Sequence, residues 1–132
     1  MDLLRRVLLL QAALWAGCGI ALTAAPRFVL VTIFDHPLLP DYGYVRVAGI
    51  CSFSLALLMV LIARRLAEIW WFAWAFVIAA AGTAVVAAFN ALFGVPDDAS
   101  AVLWWLFAAV SAAFTIALLA GLAKAGSERS PV

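Results

Sequence analysis

Apolar residues run along this chain in four long blocks, and polar residues collect in the gaps between them. The blocks cover 3–24, 45–63, 67–93 and 101–122. Each is long enough to cross a hydrocarbon core of ~30 Å as a helix, which takes about 20 residues. Strands with open edges cannot lie in lipid, because their backbone amides and carbonyls would go unpaired. The pattern therefore predicts an all-α fold. It is an integral membrane four-helix bundle with a long outer loop between helices 1 and 2, and residues 1–132 form a single membrane domain.

The gaps carry the stop and start signals. Pro26 ends the first block, since the residue before a proline is pushed out of helical geometry. Arg27 to Phe34 is short and β-branched, and reads as a helical turn or an extended piece at the interface. Asp35 to Tyr44 reads as loop, punctuated by Pro37, Pro40 and Gly43. Gly94 and Pro96 close the third block. Asp98 or Ser100 is placed to cap the fourth helix and complement its positive end. Lys124 to Val132 reads as a mobile polar tail. The first block has a rival reading as a cleavable signal segment, with basic Arg5-Arg6 ahead of it and Thr23-Ala24-Ala25 behind. A lipoprotein site at Cys18 is disfavoured by the bulk of Trp15. We read the block as a retained span.

Composition supports a bilayer as solvent. Of the 132 residues 69% are hydrophobic and 11% charged, whereas soluble domains carry roughly 25% charged residues. No soluble interior of this size hides so much apolar surface. The net charge of +1 gives no argument for nucleic acid. Charge placement sets orientation: Arg5, Arg6, Arg64, Arg65, Lys124 and Arg129 fall on one side of a four-span path, leaving only Arg27 and Arg46 opposite. The positive-inside bias predicts a multi-pass protein of the plasma (inner) membrane with both termini cytoplasmic.

In lipid, helices associate through close backbone approach rather than hydrophobic burial, which favours small residues four apart. Each span offers such a stripe. The positions expected to pack are Ala13, Gly17 and Ala21 in the first span and Ser52 in the second. Ala79 and Thr83 serve the third, Ala113 and Gly121 the fourth.

Candidate chemistry gathers in the outer loop, at Asp35, His36, Asp41, Tyr42, Tyr44 and Arg46. Carboxylate and imidazole suit a divalent metal, but no pair here has helical ligand spacing, and Asp is an ordinary turn former. No metal site is expected. A loop histidine is also a poor axial ligand for a pigment. Arg46 is expected to pair with Asp35, Asp41, Asp97 or Asp98 and pin the loop over the bundle. Cys18 and Cys51 lie at similar depths and could meet, though a free cysteine is commonly a small buried apolar residue. Gln11, Asn90, Thr83, Ser111 and Thr115 are polar side chains inside the spans, suited to hydrogen bonds between helices or to a ligand pocket. No ionisable group lies near the middle of a span, which argues against proton relays, pumps and charged-substrate transport. No catalytic residue set can be assembled within the membrane.

The first span ends in Ala-Pro-Arg-Phe, the second opens with Tyr-Val-Arg-Val-Ala-Gly, and an Arg-Arg turn follows it. In this layout the chain resembles small four-span bacterial membrane proteins of uncharacterised function, including DoxX-like ones. Some DoxX-type proteins are linked with quinone-coupled sulfur oxidation; no matching catalytic residue carries over. The expected function is non-catalytic, as an accessory or scaffold subunit of a larger membrane complex. Its expected partners are membrane lipid and other membrane-protein subunits or further copies of itself. The alternative is a binder or enzyme for a hydrophobic small molecule, a quinone or lipid, in a pocket near the outer surface. No cofactor is called for, with quinone, lipid or pigment as the possibilities.

Overall fold

The computed structural model describes residues 1–129, and within them all regular structure is helical. Helix α1 spans Asp2–Ala24 and α2 spans Gly43–Arg64. Helix α3 spans Leu66–Gly94, its entry tightened into a 3₁₀ turn at Trp70–Phe72 and its exit widened into a π turn at Asn90–Gly94. Helix α4 spans Val102–Arg129. All four are long and apolar enough to cross a membrane. The expected spans thus correspond to four helices, with one correction at the end. The chain from Lys124 to Arg129 is not a loose tail; it continues α4, where Ala125 is buried against the core. Residues 130–132 of that expected tail lie outside the described residues.

Neighbours in the bundle follow from the connections. The α1–α2 pair and the α3–α4 pair each pack along their length. Helices α1 and α4 join the pairs, whereas α2 and α3 barely touch despite the single-residue turn at Arg65. The order across the bundle is therefore α2, α1, α4, α3.

The buried side chains are not spread evenly. Leu4 and Leu8 of α1, Met59 and Ile62 of α2, Phe76 of α3 and Leu118 of α4 form one dry core. It lies in the half of the bundle that ends in Arg5, Arg6, Arg64, Arg65 and Lys124, here called the basic end. There Arg5 Nε donates to the Ala63 carbonyl at 3.2 Å, satisfying a carbonyl that the end of α2 would otherwise leave unpaired. The Met1 ammonium and Glu128 make the one ion pair among the described residues, at 2.6 Å.

At the opposite end the α1–α2 connection folds back over the bundle. Phe28–Ile33 forms a π turn, the helical alternative for that segment. Asp35 then adopts a left-handed conformation (φ 53°), which Asp tolerates better than most residues because its short polar side chain can bond locally. Its Oδ2 accepts from the Ser100 backbone N–H at 3.0 Å, tying this connection to the one between α3 and α4. Ser100 Oγ in turn accepts from the Val102 N–H at 3.4 Å and caps α4.

Close packing uses one of the expected glycines, Gly121, and two others. Where α1 crosses α2, a Cβ on Gly19 would lie 2.6 Å from the Gly49 carbonyl oxygen and 2.8 Å from the Phe53 nitrogen. A Cβ on Gly49 would lie 2.7 Å from the Gly19 carbonyl oxygen. The two backbones are in contact, and only glycine fits. Gly121 is a contact of the expected kind, facing Leu4 of α1 at 3.1 Å. Gly17 is not: a Cβ there meets nothing within 4 Å. Ala13 is exposed and Ala21 half-buried, so this face of α1 meets no helix, and the stripe expected to pack lines a groove instead. Ala113 is exposed on α4 and makes no such contact either. The physical reason is that α1 carries small residues on two faces, and helix α2 takes the Gly19–Thr23 face.

Candidate functional site: a polar cavity between the helices

The loop residues expected to carry chemistry do not converge. Asp41 Oδ1 accepts from the Gly43 N–H at 3.0 Å and caps the start of α2. The Leu39 N–H donates to the Tyr42 hydroxyl at 3.4 Å, and His36 Nδ1 lies 2.9 Å from the carbonyl oxygen of the next residue, Pro37. Tyr44 is 87% exposed. Arg46 is exposed and forms no ion pair among the described residues, so the expected pairing with a carboxylate is corrected. The connection is held instead by the Asp35–Ser100 bond and by Phe34. That ring packs against Trp104 at 4.8 Å between centroids and edge-on to Phe107 at 6.3 Å. No group of three His, Cys, Asp or Glu side chains gathers among the described residues. Cys18 and Cys51 do not bond; Cys18 is half-buried and Cys51 is exposed.

Polar groups do converge inside the bundle. Above the dry core, all four helices enclose a cavity of about 220 Å³. Helix α1 contributes Gln11, Trp15 and Cys18, and α2 contributes Ser52. Across from them stand Thr83 of α3 and Phe107, Ser111 and Phe114 of α4. The cavity lies where α2 and α3 stand apart, and Ser52, Ala80, Thr83 and Ser111 leave space between the larger Trp15, Phe107 and Phe114.

Gln11 decides what this cavity can do. Its side chain is 0% exposed, and neither its amide nitrogen nor its amide oxygen has a hydrogen-bond partner. Leaving a buried polar group unpaired costs about 1–3 kcal/mol in mutational measurements. The neighbouring hydroxyls are committed differently. Ser52 Oγ donates to the Ala48 carbonyl at 2.9 Å and Thr83 Oγ1 to that of Ala79 at 2.7 Å, so both keep only lone pairs for a guest. Ser111 is buried, and its hydroxyl makes no bond within the described residues. The cavity thus offers donors at Gln11 and Ser111 and acceptors at Gln11, Ser52 and Thr83, between aromatic walls. Of the positions expected to pack helices, Ser52 and Thr83 line this space and Ala79 supplies a carbonyl.

A second space adjoins the first. It is a groove of about 530 Å³ between α1 and α4, opening sideways from the bundle. Ala13, Gly17 and Ala21 form its floor, and Val29, Ile33 and Phe34 its roof. Leu14, Cys18, Leu22 and Phe107 line both spaces, so the two lie side by side with only these side chains between them.

Gln11, Thr83 and Ser111 stood out in the sequence as polar residues within apolar spans. Trp15, Leu22, Phe107 and Phe114 did not, since an aromatic or leucine in a membrane span is ordinary. Compared with known proteins, the chain matches no family model, no curated protein and no solved structure. The DoxX-like resemblance therefore rests on layout alone.

Proposed function

We propose that this chain is a non-catalytic, membrane-embedded binder of a neutral, apolar small molecule of the quinone or lipid class. The observation that carries the reading is the buried, unpartnered amide of Gln11 beside a cavity that also offers Ser111, Ser52 and Thr83. A wholly structural glutamine in an apolar bundle would be bonded to a neighbouring helix. One that borders a cavity, with neither its donor nor its acceptor used within the protein, can turn to a guest carrying a carbonyl or hydroxyl. The absence of charged lining residues points to an uncharged guest. The reading of the chain as an accessory subunit is carried by no geometric feature, since the exposed leucines, valines and phenylalanines are what lipid alone requires.

The four helices sit in this proposal in a bacterial inner membrane, with the basic end cytoplasmic and the α1–α2 connection outward. Six of the eight basic residues favour that orientation. A reporter fused after Val132 should stay cytoplasmic, and its export would reverse the assignment.

The function is tested by native mass spectrometry of the chain released from mild detergent. A neutral lipid should remain bound to the parent protein and be lost from Gln11→Leu. Equal retention by both proteins would refute a head group held at Gln11.

A further inference from the structure

Resting on that reading, we propose that the groove holds the tail of the same molecule whose head occupies the Gln11 cavity. The ligand is then an uncharged lipid with one ring and one tail, and it enters sideways between α1 and α4.

The head is limited by size and charge. A cavity of about 220 Å³ exceeds the roughly 150 Å³ known to accept benzene, so it takes a substituted single ring and little more. Trp15, Phe107 and Phe114 provide flat walls for such a ring. Gln11 stands about 3 Å along the axis from the middle of α1. An ionised phosphate head is costly to hold at that depth, and no cationic side chain lines either space to receive it. A ring bearing carbonyl or hydroxyl oxygens meets the Gln11 and Ser111 donors without that cost.

The tail is assigned by adjacency. The groove shares Leu14, Cys18 and Leu22 with the cavity, so a turn of these side chains joins the two, and its floor runs from Ala13 to Ala21, about 12 Å along α1. Gly17 sits at its centre with open space where a side chain would stand. Helix packing does not account for a glycine there, whereas room for a chain does. Phe34, packed at a tilt against Trp104, closes the groove at the far end, so the tail leaves toward lipid between the two helices rather than through the loop.

The test uses the full chain in nanodiscs, with saturable quenching of tryptophan fluorescence measured after subtracting the signal from empty discs. The probes are a tail-less dimethoxy-methyl-benzoquinone, its decyl derivative, and monoolein as a ringless neutral lipid that competes. Gly17→Leu should fold as the parent does, because a Cβ there meets nothing within 4 Å and the side chain enters the groove, and Ala13→Leu serves as a second variant at an exposed position. Both should weaken the decyl probe by about tenfold or more and leave the tail-less probe within about twofold. Gln11→Leu should weaken both probes. If both probes bind and neither groove variant changes the decyl probe selectively, the tail assignment is overturned while the Gln11 reading stands. If neither probe binds the parent saturably, both fall. Displacement by monoolein at lower concentration than by the decyl probe would overturn the ring.

Discussion

Gly17 and Gly19 lie two residues apart on the same helix and do opposite things. Gly19 is pressed against α2 so closely that a methyl group would strike backbone atoms, while Gly17 faces a groove in which a methyl group would touch nothing. One side of α1 is a dry seam, the other the edge of a cavity system. The contrast shows that a small residue in an apolar helix marks space near the backbone, which a second helix fills at Gly19 and leaves open at Gly17.

The largest effect should come from closing the seam by force. Gly49→Leu puts a side chain into the Gly19 backbone, where no flexible group can yield. Overpacking typically costs about 1–3 kcal/mol, and here we expect the upper end or beyond. Thermal unfolding in detergent measures it, and an unchanged midpoint would dissolve the distinction between the two faces. Gln11→Leu should act in the other direction. Removing an unpartnered buried amide should stabilise the purified protein, by about 1–3 kcal/mol if the full penalty is released. A destabilised variant would mean that the amide is already paired. The smallest effect separates the glycines themselves. Gly17→Ala should be neutral or stabilising by up to about 1 kcal/mol through helix propensity, whereas Gly19→Ala should destabilise. The same sign for both would merge the two faces again.

The four helices were legible because apolar runs long enough to cross a bilayer are expected to be helical, and four such helices are present. So was the cap at Ser100, which depends only on local chemistry. Which face of α1 packs was not legible. Ala13-Gly17-Ala21 and Gly19-Thr23 both have four-residue spacing, and in a lipid-facing helix no polar stripe tells one side from the other. Thr23 is the instructive case: its hydroxyl donates to the Gly19 carbonyl at 2.8 Å, so a polar residue hides on the packed face at no cost. Arg46 misled for a related reason. Four carboxylates near one end suggested a partner, but an arginine at a helix end can reach water alone. The candidate site was half legible. Gln11 and Ser111 could be read as odd polar residues, but their convergence depends on α2 and α3 separating, a long-range fact that no local pattern encodes.

The Gly19–Gly49 crossing also has a mechanical meaning. Backbones in direct contact leave no free volume for sliding or rotation, so α1 and α2 form one stiff plate. Helices α3 and α4 form a second, coupled to the first chiefly along the α1–α4 boundary and through the one-residue turn at Arg65. The dry core at the basic end, drawn from all four helices, holds the two plates together there. At the far end the Asp35–Ser100 hydrogen bond spans the two plates, so a tilt of one against the other would have to stretch that bond.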